Sequence, residues 1–214
     1  MKKAIITAAV LLLANAVAVS AAEKVTRTFN VTAFDAISCN VPCEIKYETG
    51  EPKVVIYADD DVINNIKVDV ENGQLSIKMP EKKLRNIKGA KIYITSQILN
   101  SLVFNGACEF ENKRGIQTDK AFTLTGNGAS DCEIASIRAS DITVVINGVT
   151  DCEIDGISCK TLSAVINGAG SLDLEGVCDE ADLTINGAGE IDIEKLSANF
   201  VNSTVRGAGS ISRR

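Results

Sequence analysis

From residue 101 onward, apolar residues alternate with other side chains at a spacing of two. One such run carries Ile142, Val144 and Ile146, and a second run, with Cys152 and Ile154, follows a few residues later. A period of two is the period of a β-strand that buries one face. The alternation therefore predicts pairs of short strands along this part of the chain.

An Asn-Gly corner separates the two strands of each pair. Counted from the asparagine, or from the arginine of the last copy, the corners recur at steps of 22, 20, 20, 19 and 20 residues, at positions 105, 127, 147, 167, 186 and 206. A fixed period near 20 residues indicates stacked supersecondary units. We expect each copy to form one coil of a β-solenoid, which buries its apolar face only against neighbouring coils.

The asparagines of these corners form a predicted column of stacked side chains. The segment Cys39-Asn40-Val41-Pro42-Cys43 aligns without a gap on Phe104-Asn105-Gly106-Ala107-Cys108, and Asn72 fits the same frame. Equivalent residues of adjacent coils lie about 4.8 Å apart, so their amides can form a hydrogen-bonded ladder, which we expect to be buried. The predicted asparagine column comprises Asn40, Asn72, Asn105, Asn127, Asn147, Asn167 and Asn186. An alternative for Asn72-Gly73 is the turn of a plain antiparallel hairpin.

The predicted fold is all-β. It is a single right-handed parallel β-helix, or β-solenoid, of about eight coils with irregular first coils, and the handedness follows the general rule for parallel crossovers. The steps from Asn40 to Asn72 and on to Asn105 are 32 and 33 residues long, which indicates insertions in the first coils. One insertion is predicted to hold a helix of one or two turns that Asp59 or Asp60 caps.

The first 22 residues have the pattern of a secretory signal peptide. Lys2 and Lys3 precede an apolar run from Ala4 to Val19, and small residues suited to cleavage follow at 20–22. The alternative is a transmembrane anchor, which the short run and the small-residue end disfavour. We therefore divide the chain into a signal peptide, residues 1–22, and one β-solenoid domain, residues 23–214. The expected location is the periplasm or the cell surface of a bacterium.

Composition narrows the classes of function. Loss of residues 1–22 leaves 20 basic against 28 acidic residues, a net charge of −8, which disfavours nucleic acid and anionic membranes as partners. No other stretch is apolar enough to span a bilayer as a helix, so we expect no membrane insertion after signal cleavage. The sequence has no histidine, which excludes imidazole catalysis and imidazole metal ligation.

Several short segments, in this order, resemble a known family. They are Phe34-Asp35-Ala36-Ile37, Val54-Val55-Ile56, Asp59-Asp60, Asn72-Gly73-Gln74-Leu75-Ser76-Ile77, and the repeats at Ile166 to Gly170 and Ile185 to Gly189. From about residue 30 to its end the chain resembles the family called putative auto-transporter adhesin, head GIN domain. The resemblance implies an exported bacterial β-solenoid with adhesion as its role, and it brings no catalytic residues.

Acidic residues form a second predicted line on the outside of the solenoid. We align Glu109, Glu133, Glu153, Asp173 and Asp192 at one outward position, with Glu44 in the first coil. Like charges on neighbouring strands destabilise a sheet, and a calcium ion between two carboxylates would offset that repulsion. The candidate metal ligands are Glu133, Glu153 and Asp173. The alternative is an ordinary solvated face that binds no ion.

Seven cysteines leave at least one thiol without an intramolecular disulfide. Cys159 and Cys178 each lie eight residues before an asparagine of the column, so they are predicted to be neighbours on adjacent coils and to form a disulfide. Cys132 and Cys152 share a register with Leu172 and Ile191, and we interpret them as small buried apolar residues.

The favoured function is an exported, non-enzymatic binding or structural module, similar to an adhesin. Its repetitive strand faces would contact a protein or a glycan at the cell envelope, and no cofactor is expected apart from the calcium ion considered above. The alternative is a carbohydrate-active enzyme, a polysaccharide lyase or hydrolase, because β-solenoids host such enzymes and stacked carboxylates can act as acid and base. That alternative depends on fold analogy alone, which does not establish function.

Overall fold

The computed structural model describes residues 24–80 and 89–213, so the predicted signal peptide lies outside the described residues. Strands account for 73% of the structure. The first strands are β1 (Lys24–Asn30), β2 (Ala36–Asn40), β3 (Cys43–Thr49), β4 (Lys53–Asp59), β5 (Lys67–Glu71), β6 (Gln74–Lys78) and β7 (Ala90–Ser96). The later strands are β8 (Ser101–Asn112), β9 (Ile116–Gln117), β10 (Phe122–Ile134), β11 (Ile137–Arg138), β12 (Asp141–Ile166), β13 (Ser171–Gly187), β14 (Glu190–Asp192), β15 (Leu196–Gly207) and β16 (Ser210–Ser212). Between β4 and β5 lies one short helix, α1 (Asp60–Ile63), in the predicted place; Asp59 is its N-cap residue, but the Asp59 side chain makes no capping hydrogen bond. Across these residues, no helix combines the length and the apolar character needed to cross a membrane.

From β8 onward, successive coils stack in parallel and in register. Ile142 lies opposite Phe122, Cys152 opposite Cys132, and Ile166 opposite Ile185. The predicted parallel β-solenoid is therefore confirmed, but it has about six turns and not the eight expected. The difference arises near the N-terminus, where β1 and β4, β4 and β7, and β5 and β6 pair antiparallel and so do not form coils of their own.

Each full coil has three sides, which we name after their place relative to the asparagine corner. Side A leads into the corner and includes residues 101–104, 122–126, 141–146, 161–166 and 181–185. Side B follows the corner and includes residues 108–112, 130–134, 150–154 and 170–174. Side C is short and includes β9, β11 and residues 157–158. On sides A and B alternate residues face the core, which gives the period of two in the sequence.

The first coils are stacked in an order that differs from their order in the chain. β3 lies between β7 and β8, and β2 lies between β6 and β8. The chain therefore forms the coil of β2 and β3, leaves through β4 and β5, adds β6 and β7 on the outer side, and returns to place β8 against β2 and β3. Residues far apart in the sequence become direct neighbours in this part of the stack.

This order removes Asn72 from the predicted asparagine column. Asn72 and Gly73 form the turn between β5 and β6, with φ angles of 51° and 79°. Two left-handed residues at a two-residue turn are the geometry of a tight antiparallel hairpin, which Asn-Gly favours strongly. The hairpin alternative was correct for this pair, and Asn40 is followed in the column directly by Asn105.

The apolar core runs along the solenoid axis. Its wide N-terminal end holds Tyr47, Phe104 and Phe110, whose rings pack against one another, and isoleucine and leucine fill the later coils. The buried hydroxyl of Tyr47 forms a hydrogen bond of 3.0 Å with Ser96 Oγ. Burying one such large side chain stabilises the fold by roughly 1.5–3 kcal/mol.

Candidate functional site

The asparagine column lies at the corner between side A and side B and forms a continuous ladder. Each Nδ2 donates a hydrogen bond to Oδ1 of the preceding coil, over 2.9 Å from Asn127 to Asn105 and 2.8 Å from Asn147 to Asn127. The same bond joins Asn167 to Asn147 and Asn186 to Asn167 over 2.9 Å, and Asn105 donates to Asn40. Six of the seven predicted residues therefore lie in this ladder.

The ladder is not buried, which corrects one expectation. Asn147, Asn167 and Asn186 are exposed, and the three earlier members are half-buried. The reason is that the corner turns outward, so the core is filled by the residues that precede and follow each asparagine. The column is a surface feature, and its amides bind one another.

Side B carries the predicted acidic line. Glu133, Glu153 and Asp173 occupy one register position on three adjacent coils. Glu109 does not belong to this line, because it lies opposite Asp131, and Glu111 takes the place beside Glu133. Glu44 pairs with Glu109 and is displaced in the same way. The prediction placed Glu44 and Glu109 two residues away from their true register, because it did not count residues from the asparagine of each coil.

At the N-terminal end of side B, lysines neutralise the acids. Lys91 Nζ lies 2.6 Å from Glu44 Oε2, and Lys46 Nζ lies 2.8 Å from Glu111 Oε2. The hydrogen bond from Lys91 holds the pKa of Glu44 below its usual value. Glu111 also accepts a hydrogen bond from Lys113 over 2.5 Å. That bond, and to a smaller extent the one from Lys46, lowers the pKa of Glu111.

The middle of the acidic line is not neutralised in this way. Repulsion from Asp155, burial and repulsion from Asp173 raise the pKa of Glu153, and burial followed by repulsion from Asp192 raises the pKa of Asp173. The positive charge of Lys195 opposes the rise in the pKa of Asp173, but Lys195 forms its ion pair with Glu175. The carboxylates follow one another along the axis and do not surround a point, so one cation could bridge two neighbours at most.

The outward residues in the middle of side A form a contrasting, uncharged surface, which Asp141 and Asp182 border. Its outward residues in four successive coils are half-buried by their neighbours and comprise Ser101, Val103, Thr123, Thr125, Thr143, Val145, Ser163 and Val165. We name these eight residues the neutral face. Ala36 and Ser38 of β2 extend it by one row. Short hydroxyl and methyl side chains at the strand spacing make this wall flat.

Cys159 and Cys178 lie opposite each other on adjacent coils, as the spacing predicted, and their thiols are not bonded in the structure. Burial raises the pKa of Cys159 to about 12 and also raises the pKa of Cys178. A raised pKa keeps a thiol protonated, and protonated thiols oxidise slowly because the thiolate is the reactive species. The disulfide stays a prediction. Cys132 and Cys152 are buried register partners, in keeping with their interpretation as apolar residues.

Sequence reasoning missed a cluster of three further cysteines, which we name the cysteine triad. Cys39 Sγ lies 3.4 Å from Cys43 Sγ, and Cys43 Sγ lies 3.7 Å from Cys108 Sγ. All three thiols are buried. The gap-free alignment of the first coil on residues 104–108 gave Cys43 and Cys108 equivalent positions, but the predicted coil of Asn72 lay between them. What it could not show was that Cys39 turns toward them across the corner.

Hydrogen bonds link the thiols of the cysteine triad. Those with Cys39 and Cys43 lower the pKa of Cys108, whereas the hydrogen bond between Cys43 and Cys108 raises the pKa of Cys43. Among the residues that the structure describes, this is the one group of three metal-binding side chains whose ligand atoms all lie within 4.8 Å of one another. The predicted calcium ligands on side B do not converge in this way.

Solved structures with the same architecture come from Bacteroides and Parabacteroides species. A protein described as a putative adhesin from Bacteroides fragilis is 23% identical, with a TM-score of 0.74, over 91% of this chain and 98% of its own. A second putative adhesin, from Parabacteroides merdae, is 15% identical, with a TM-score of 0.79, over 90% of this chain and 96% of its own. At these identities the likeness shows the fold alone.

Among curated proteins, none matches the sequence significantly. The sequence model of one family matches residues 33–213, which is nearly the whole described part of the chain. The family is the one whose segments the sequence resembles. The chain therefore belongs to the family described as putative auto-transporter adhesin, head GIN domain.

Proposed function

We propose that this chain is an exported, non-enzymatic binding module of the bacterial envelope that contacts a glycan or protein partner through the neutral face of side A. Membership in an adhesin family supports the class of function. The observation that carries the choice of surface is the contrast between the two long walls. The neutral face of side A is uncharged and has acids only at its borders, whereas side B carries unneutralised carboxylates along its middle.

Desolvation favours side A over side B as the contact surface. A partner that covers Glu153 and Asp173 would strip water from charged groups that already repel each other, which costs free energy unless cations accompany it. A partner that covers the neutral face removes water only from hydroxyl and methyl groups, so desolvation costs less free energy there. The serine and threonine hydroxyls of this face can exchange hydrogen bonds with water for hydrogen bonds with sugar hydroxyls or backbone groups.

Rigidity also supports a binding role. Each coil is held to its neighbours by a continuous parallel ladder and by the asparagine amides, so the neutral face is ordered before a partner arrives. A preorganised surface loses little conformational entropy on binding. The carbohydrate-active enzyme remains the alternative, and the relatives named as adhesins do not support it.

The test is a glycan array together with capture from envelope fractions, performed with the protein and two matched variants. Thr143→Lys places a charge at the centre of the neutral face, and Asp151→Asn changes the net charge by the same amount on side B. We expect Thr143→Lys to abolish binding, Asp151→Asn to leave it unchanged, and binding to resist added salt. The reverse pattern would move the contact to side B. Failure of the unmodified protein to bind any glycan or envelope component, or turnover of a bound glycan, would overturn the proposal.

A further inference from the structure

The cysteine triad joins three separate segments at one point inside the first coil. Cys39 ends side A of that coil, Cys43 begins side B, and Cys108 comes from the next coil, 65 residues later than Cys43. Their relative exposures are 0%, 6% and 4%, so the sulfurs lie at the inner side of the corner. The equivalent position to Cys43 and Cys108 in the next coil is Ser130, which shows that the corner does not require sulfur.

From this convergence we propose that Cys39, Cys43 and Cys108 form a three-thiolate site for a soft, thiophilic metal ion, of the Cu(I) or Zn(II) class. A metal–sulfur distance of about 2.3 Å places three ligand sulfurs about 3.8–4.0 Å apart, for tetrahedral or trigonal angles. The observed Sγ separations of 3.4 and 3.7 Å approach that value, and all three sulfurs lie within 4.8 Å of one another. Shifts of less than about 1 Å in the sulfur positions would complete the coordination.

The donor set selects the kind of ion. Thiolates are soft ligands that favour Cu(I) and Zn(II), whereas calcium and magnesium require oxygen. Cu(I) is satisfied by three sulfurs. Zn(II) takes a fourth ligand, and an open groove of about 580 Å³ reaches Cys43 and Cys108 from outside, so a water molecule or a small anion could supply it. Binding would release thiol protons to solvent, because the metal is bound by thiolates.

The groove gives the ion a route to sulfurs that are otherwise buried. It is lined near the thiols by small residues, including Ala90, Ala107 and Ala129, which leave the opening wide. Lys91, which is paired with Glu44, also lines it, as do the carboxylates Glu109 and Asp131, so the rim is acidic overall and attracts a cation. The Val41 carbonyl lies 3.4 Å from Cys108 Sγ and 3.7 Å from Cys39 Sγ, and it orients both thiols toward the same region.

A bound ion would tie β2, β3 and β8 together. These strands form the junction at which the chain returns from the antiparallel N-terminal segment to the regular stack. An ion that binds only the folded state stabilises it by mass action, so its effect saturates with concentration. This gives a readout that is independent of any adhesive partner.

The experiment titrates the reduced, metal-free protein anaerobically with Cu(I) and, separately, with Zn(II), each against a competing chelator. We expect one equivalent to bind, with a saturable rise in the melting temperature. Bound metal should protect three of the seven cysteines from alkylation, and peptide mapping should identify them as Cys39, Cys43 and Cys108. Comparing the two titrations identifies which ion the site prefers.

The matched variants are Cys108→Ser and Cys132→Ser, since both replace a buried cysteine of side B. We expect Cys108→Ser to weaken binding by at least about 100-fold, because even changes to groups that only orient a ligand cost 10–100-fold, and Cys132→Ser to bind normally. Protection mapping on the unmodified protein decides the matter if a variant does not fold. Absence of one-equivalent binding for both ions, protection of other cysteines, or a Cys39–Cys43 disulfide that persists in the folded protein under reductant would each overturn the proposal.

Discussion

Arg206 donates a hydrogen bond from Nη1 to Oδ1 of Asn186 over 3.3 Å and so takes the place that asparagine holds in the earlier coils. The ladder has a direction, because each Nδ2 from Asn105 to Asn186 donates toward the N-terminus and each Oδ1 accepts from the C-terminal side. Asn186 would therefore end with an unused acceptor. The guanidinium, which only donates, satisfies that acceptor and closes the ladder.

The first prediction concerns the ladder itself. Asn147→Leu removes one donor and one acceptor from the middle of the column, and we expect it to lower the free energy of unfolding by about 0.5–1.5 kcal/mol. We expect a loss of only this size because the ladder is exposed at Asn147, so water can replace the lost hydrogen-bond partners. Urea denaturation measures the change. Thr143→Val is the control, since it alters a nearby side A residue outside the ladder, and an equal loss in both variants would show that the amide bonds contribute nothing.

The second prediction concerns the glycine that follows each asparagine. Gly148 has a φ of 146°, and a Cβ added there would lie 2.3 Å from the carbonyl oxygen of Gly128 in the adjacent coil. Since backbone cannot yield as a flexible side chain does, we expect Gly148→Ala to destabilise the protein by about 1–3 kcal/mol or more. Gly89→Ala is the matched control, because nothing lies within 4 Å of its added Cβ. Equal melting temperatures for the two variants would contradict the steric argument.

The repeat could be predicted from the sequence because its physical causes are local. Each coil from residue 101 onward repeats the same alternation and the same corner, so parallel stacking in register is the arrangement that buries every apolar column at once. The asparagine at position 147 is 20 residues from its neighbour on either side, and the stack follows that period.

The first coils could not be predicted in the same way. Asn40 and Asn105 are ladder neighbours although 65 residues separate them, because the chain inserts β6 and β7 on the far side of β2 and β3. No local pattern in the sequence specifies that order of strands. The pair Asn72-Gly73, for example, fits a solenoid corner as well as it fits the turn of a hairpin. The cysteine triad was missed in part for the same reason, because Cys108 meets Cys43 only through this return of the chain.

The third prediction concerns Cys159 and Cys178. We expect oxidation to link these two thiols, and to do so faster in alkaline than in neutral buffer, because their pKa values are raised by burial and the thiolate is the attacking species. Peptide mapping by mass spectrometry without reductant detects the bridge. If both thiols remain open to alkylation after oxidation in alkaline buffer, the pairing is wrong.

The fourth prediction concerns the pH dependence of stability. The pKa of Glu153 is raised in the folded protein, chiefly by Asp155, so its protonated form stabilises the fold at low pH and that contribution is lost as the pH rises. Glu153→Gln should therefore stabilise the protein at pH 7, by less than about 1 kcal/mol because the group is exposed and screened. The gain should vanish below about pH 4, where the glutamate is itself protonated.

Glu111→Gln is the matched comparison for this effect and should have the opposite sign. Lys113 and Lys46 lower the pKa of Glu111, so its contribution is present above the unfolded pKa and is lost as the pH falls. Urea denaturation at a series of pH values measures both variants. A destabilising Glu153→Gln at neutral pH would show that repulsion in the acidic line is not significant.

The last prediction separates a calcium site from a solvated acidic face on side B. Glu133, Glu153 and Asp173 stack along the axis, and a cation between two neighbours could reach only part of the oxygen shell that calcium requires. We therefore expect calcium to raise the melting temperature no more than sodium does at matched ionic strength. The measurement is a calcium titration into the millimolar range, followed by differential scanning fluorimetry.

A saturable rise specific to calcium would instead establish the site and would make Glu153 its central ligand, because an acid lies on either side of it. In that case Glu153→Gln should remove most of the rise, and Glu71→Gln, on the distant strand β5, should leave it intact. Screening by salt acts on every exposed carboxylate alike and does not saturate at a single site. The form of the titration curve, together with the contrast between the two variants, therefore distinguishes bound calcium from a general effect of ionic strength.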